Sequence, residues 1–155
     1  MDEQSRVQAA AQTITPHIVV HDGKAAVDWY IRVLGAQEGL RIELPNGKLL
    51  VELRFGEALM MLADEFPEMG IVSPRTLRGT YMALYLMMED VDAVWHRALE
   101  AGAEVFVPLD DSFWGDRQGQ IIDPFGHRWG FSQHLRNVPP EEIRAAAIAA
   151  FGGAS

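Results

Sequence analysis

Apolar and polar positions along the chain fall into two similar runs. Ile14 to Val20 is β-branched and apolar, the pattern of a buried strand. Asp22 follows and suits a helix N-cap. From about Lys24 to Leu34 apolar residues recur at helical spacing, with Ala26, Val27, Tyr30, Ile31 and Leu34 on one predicted stripe. Gly35 ends that helix. Three strand-like stretches come next, at about Glu38 to Glu43, Leu49 to Phe55 and Ala58 to Ala63. Pro45-Asn46-Gly47 and Gly56-Glu57 supply the turns between them, Asn-Gly being a strong hairpin signal. Asp64 to Gly79, punctuated by prolines and glycines, reads as a joining loop.

The pattern then restarts. Tyr81 to Met88 reads as a strand, and Asp90 as the cap of a helix from Val91 to Ala101. Val91, Val94, Trp95, Ala98 and Leu99 share one face of it, and Gly102 ends it. Strands are expected at about Glu104 to Pro108, Gln118 to Ile122 and Arg128 to Gln133. An alanine-rich terminal helix is expected from Pro139 to Phe151. Three landmarks recur in order: Asp22 and Asp90 lie 68 residues apart, Gly35-Ala36 and Gly102-Ala103 lie 67 apart, and Phe55-Gly56 and Phe125-Gly126 lie 70 apart. The chain therefore divides into a tail (1–13), a first βαβββ unit (14–63), a joining loop (64–79), a second βαβββ unit (80–135) and a helical tail (136–155). The fold class is α+β, two tandem units with mixed sheets. One unit alone leaves a sheet face uncovered, so the two are expected to pack together.

Composition narrows the function. At 48% hydrophobic and 23% charged, the 155 residues can build an ordinary core. The sequence contains no cysteine, which excludes disulfides, thiolate zinc sites and cysteine nucleophiles and fits a reducing cytoplasm. A net charge of −9 argues against a nucleic-acid partner and is compatible with a cationic ligand. No apolar run is long enough to span a bilayer, and the polar, alanine-rich Met1 to Gln12 has no signal-peptide core, so it reads as a tail or a short helix. Gly-rich phosphate loops and serine elbows are missing. His17 and His21 share a strand face but sit roughly 13 Å apart, too far for one metal.

Several stretches carry a family resemblance. Val27-Asp28-Trp29-Tyr30 with Val33-Leu34-Gly35-Ala36, and Glu89-Asp90-Val91-Asp92-Ala93 with Ala101-Gly102-Ala103, resemble the two helical units of the vicinal oxygen chelate superfamily, which includes glyoxalases, bleomycin-resistance proteins and dioxygenases. Gly115-Asp116-Arg117, then Asp123-Pro124-Phe125-Gly126-His127-Arg128-Trp129, resembles a signature of its bleomycin-resistance and PhnB-like branch. So does Ala63-Asp64-Glu65-Phe66-Pro67. Read as a turn, Asp-Pro-Phe-Gly is largely a folding signature, and Asp116 and Arg117 are expected to form an ion pair within it.

The resemblance implies curved mixed sheets around a cup-shaped pocket. It also implies a divalent metal held by the first and last strands of each unit, usually through His and Glu. The internal repeat assigns those positions to His17, Met60, Tyr85 and Gly130, of which His17 is the one common ligand type. Glu52 and His134 are the nearby residues from which an unusual site would be built. The usual metal cofactor is therefore not expected. Metal-free members of the superfamily bind drugs, and the expected ligand-binding residues are His17, Met60, Tyr85, Phe113, Trp114 and Trp129, with Phe113-Trp114 as an exposed aromatic plate. Three readings stay open: a small-molecule binding or resistance protein; a metal-dependent lyase, isomerase or dioxygenase with an altered ligand set; and an interaction or regulatory module. A homodimer is expected, with the joining loop permitting exchange of units.

Overall fold

The computed structural model describes residues 12–153. The tail reading of Met1 to Gln12 lies almost entirely outside them. The first module contains β1 (His17–Val20), α1 (Gly23–Leu34), β2 (Gln37–Glu43), β3 (Leu49–Phe55) and β4 (Ala58–Asp64). A 3-10 turn at Pro67–Met69 and the one-turn helix α2 (Pro74–Leu77) lie in the joining segment. The second module contains β5 (Ala83–Met87), α3 (Val91–Glu100), β6 (Glu104–Asp111), β7 (Asp116–Ile122) and β8 (Arg128–His134), and α4 (Pro140–Phe151) closes the chain. No helix among the described residues is long and apolar enough to cross a membrane.

Each module forms one four-stranded mixed sheet, in the orders β1-β4-β3-β2 and β5-β8-β7-β6. The outer pair β1 and β4 is parallel, as is β5 and β8, because a helix crosses over between them; the remaining pairs are antiparallel hairpins. The two sheets stay curved and unclosed. The first strand is shorter than its apolar run. Ile14 is 96% exposed, and strand pairing begins only after Pro16, whose carbonyl accepts from Met61 N.

Both helices begin as the sequence indicates. Asp22 accepts from Ala25 N at 3.1 Å, and Asp90 from Ala93 N at 3.1 Å. Asp64 adds a tertiary cap: its carboxylate accepts from Gly23 N and Leu49 N, tying the start of α1 to two strands. The buried stripe of α1 is rotated from the expected one. Trp29 and Val33 are buried with Tyr30, whereas Ile31 is exposed. The reason is that α1 packs on a neighbouring helix as well as its own sheet, so its apolar arc is wider than one stripe. Trp29 Nε1 donates to Ala101 O of the second module at 2.8 Å, and Arg97 Nε donates to Val33 O at 2.9 Å. One continuous core results, running from Ile18 and Tyr30 through Trp95 to Trp129 and Phe131. Each such side chain removed from water contributes roughly 1.5–3 kcal/mol.

Candidate functional site

On each sheet the residues that alternate with the core set form a more open face. In the second module this face runs the length of the strands. At its centre Tyr85 pairs with Gly130, and Gly130 pairs with Gln120 across the other edge. Tyr85 is 52% exposed, and its hydroxyl accepts from Gln120 Nε2 at 2.7 Å. A Cβ at Gly130 would fall 2.5 Å from Tyr85 Cε1. The phenol ring therefore lies across the glycine, in space a side chain there would need. Met87 adds apolar surface on the same strand.

One end of this face is polar. Asp116 accepts from Ser132 Oγ and meets His134 Nδ1 at 3.0 Å, and His134 Nε2 contacts Asn137 Oδ1 at 2.8 Å. The hydrogen bond to Asp116, then that to Asn137, raises the imidazole above its ordinary value. The expected Asp116–Arg117 ion pair is not formed. Neighbours on a strand point to opposite faces, so Arg117 reaches Asp92 of α3 at 3.0 Å and Asp111 at 3.1 Å instead. Phe113 and Trp114 cap this end on the β6–β7 turn. They stack edge-to-face with centroids 4.7 Å apart, and Phe113 also meets Phe151 of α4. They are half-buried rather than a free plate.

The open face of the first module differs. His17 pairs with Met61, and Met61 with Glu52, so the three lie in a row across β1, β4 and β3. Met61 is 42% exposed. Met60 is not on this face. It is 4% exposed and belongs to the core. The repeat offset misplaces it because the turns differ in length. Phe55 pairs with Ala58 across Gly56-Glu57, whereas Ile122 pairs with Arg128 across residues 123–127. Trp129 is likewise a core residue at 3% exposure, sitting between Tyr30 and Phe55. A one-residue change of register moves a side chain to the other face of a sheet.

The Asp123–Arg128 turn joins the modules. Asp123 is buried, and its two oxygens accept from Tyr30 Oη, Trp129 Nε1, Phe125 N and His127 N at 2.5, 2.8, 2.8 and 3.0 Å. Burial raises its carboxyl above the usual range, and the donors oppose that rise. Burial, then the adjacent Asp123, pushes the Tyr30 phenol up as well. His127 Nε2 reaches Val19 O of β1 at 2.7 Å. Gly126 adopts φ +88, and a Cβ there would strike Pro74. The signature stretch thus acts as a clamp between the modules.

Residues 10–131 match the profile of the glyoxalase/bleomycin resistance protein/dioxygenase superfamily. The chain belongs to this superfamily. An uncharacterized protein of Mycobacterium bovis, Mb0911c, is 42% identical over 137 residues, covering 86% of this chain and 90% of that one. TioX from Micromonospora sp. ML1 is 29% identical, with a TM-score of 0.62 over 81% of this chain and all of the other. PA1353 from Pseudomonas aeruginosa shares the fold at TM-score 0.68 and 19% identity, over 81% of this chain and all of the other.

The metal that enzymes of this superfamily hold does not fit the residues here. On the open faces the four positions are His17, Met61, Tyr85 and Gly130, and the Tyr85 ring already fills the space over Gly130. Thioether and phenol do not suit hard divalent cations. No group of three His, Asp or Glu able to hold a metal occurs among the described residues. Gln120 and Arg128 join the open face without a sequence signal, because pairing register alone puts them there, and the Phe106 ring lies under the Arg128 guanidinium.

Proposed function

We propose that this superfamily member binds a small aromatic or cationic molecule on the open face of its second module, sequestering it rather than transforming it on a metal. The observation that carries this reading is the half-exposed Tyr85 ring, fixed over Gly130 and hydrogen-bonded to Gln120. A pre-positioned aromatic gives a ligand contact area at little entropic cost. Met87 beside it can adapt to varied shapes. Asp116 at one end, within a chain of net charge −9, favours a cation.

The test combines elemental analysis with a ligand titration. The purified protein is expected to hold no stoichiometric metal, before or after chelation and reloading with Ni²⁺, Zn²⁺, Mn²⁺ or Fe²⁺. A cationic acridine dye is expected to bind, with at least tenfold weaker binding in Tyr85→Ala. About one tightly held metal per chain overturns the proposal, and so does dye binding that Tyr85→Ala leaves unchanged. The rival reading is a lyase, isomerase or dioxygenase with an altered ligand set. It draws on His17 and Glu52, which flank Met61 on the other open face. A homodimer is part of the proposal. The exposed Ile42 and Met61 of the first module are surfaces that a second chain would cover. A monomer at micromolar concentration by sedimentation overturns that part.

A further inference from the structure

At the end of the second sheet's open face, where β5 and β8 begin, lies a groove of about 760 Å³ whose lining does not include Tyr85. It lies between the joining segment around Pro74 and Gly79 and the clamp turn, which supplies Pro124 and Gly126. The opposite end of the same sheet carries His134 and the Phe113–Trp114 turn, so the groove is not part of that cluster.

The groove's charges set it apart from a chain of net charge −9. Arg75 and Arg128 both line it, with His21 beside them. Two carboxylates also line it. Asp123 is saturated by its four donors and offers no free acceptor to a cation. Glu104 sits exposed on the first residue of β6.

Two residues of the lining each carry a buried nitrogen that lacks a partner, Arg128 Nε and His21 Nδ1. Buried polar atoms are normally satisfied, so each such atom calls for a partner. The Arg128 guanidinium stacks over Phe106, with Cζ 4.9 Å from the ring centroid, and its one hydrogen bond among the described residues is from Nη2 to Tyr81 O at 3.2 Å. Most of its five donors therefore remain to be used. A guanidinium fork matches a carboxylate in two parallel hydrogen bonds. Phe106 is half-exposed, and Ile122 lies beside it in the lining. A planar apolar body has its contact surface there.

We infer that this groove binds a small aromatic carboxylate, its ring against Phe106 and Ile122 and its charge on Arg128 and Arg75. Arg128 meets the anion through its fork and Arg75 supplies a second cation from the rim.

Benzoate and benzamidinium, alike in shape and opposite in charge, are titrated separately into the full chain and followed by ¹H–¹⁵N spectra of the arginine Nε–H groups. Benzoate is expected to shift the Arg128 signal, and benzamidinium to leave it in place. Arg75→Gln and Arg128→Gln are each expected to weaken benzoate binding at least about tenfold. Arg75 is exposed, so its variant remains informative even if Arg128→Gln unfolds. The proposal is overturned if benzamidinium shifts the Arg128 signal as benzoate does, if Arg75→Gln keeps full benzoate affinity, or if millimolar benzoate shifts nothing. Benzoate that moves the Tyr85 ring signals and not Arg128 also overturns it, while leaving the Tyr85 reading intact. Failure of the acridine titration has no bearing on the benzoate result.

Discussion

In the first module β3 and β4 are joined through Gly56 and Glu57; in the second, β7 and β8 are joined through residues 123–127. The short turn reverses the chain over two residues. The long turn carries a buried carboxylate that takes hydrogen bonds from α1 of the first module, from β8 and from its own backbone. The open faces differ in the same way. The first presents His17, Met61 and Glu52 in a row, whereas the second presents one aromatic ring laid over a glycine. Two copies of one topology have thus separated, the second alone carrying the clamp turn and an aromatic ring over a glycine on its open face. The comparison teaches that equal strand order does not make positions equivalent, since one turn decides which residue faces out.

The largest effect that would break this contrast comes from the clamp. Asp123→Ala leaves Tyr30 Oη, Trp129 Nε1 and two backbone N–H groups without an acceptor. It is expected to cost about 3–5 kcal/mol in urea unfolding. Asp64→Ala, which removes the acceptor for Gly23 N and Leu49 N, is expected to cost about 1–2 kcal/mol. Equal losses would remove the distinction between the modules.

A smaller effect is expected at the open face. Gly130→Ala drives a Cβ into the Tyr85 ring and is expected to cost about 1–3 kcal/mol while displacing the ring, seen as a shift of the Tyr85 aromatic signals. Met61→Ala, at the equivalent place in the first module, is expected to change stability by under about 0.5 kcal/mol. An undisturbed Tyr85 in Gly130→Ala would show that the ring is not held there.

The smallest effect concerns pH. His134 has its imidazole raised by Asp116, then by Asn137. A raised imidazole stabilises the folded state below its ordinary value, and that contribution disappears as pH climbs through the raised one. His134 is exposed, so solvent screens the pair. His134→Gln is expected to flatten the pH dependence of the unfolding midpoint in that window alone.

Much of the fold was legible along the chain. Asp22 and Asp90 mark helix starts because an aspartate caps through its own short side chain, and strands β2, β3 and β4 follow turn residues that act locally. Site residues were less legible. His17 and Tyr85 do lie on open faces, but Met60 and Trp129 fall in the core, because a cross-strand partner is set by turn length and not by the repeat. Phe113 and Trp114 lose their expected freedom to each other and to Phe151, a contact between residues far apart in sequence.

The sequence by itself determined the two βαβββ units and their helix caps. These depend on residue type and local spacing. Tertiary structure alone decided which face Met60, Trp129 and Gln120 occupy, that Arg117 turns to Asp92, and that Asp123 binds the modules together. Those outcomes depend on the register between strands and on packing between units, which no local pattern encodes.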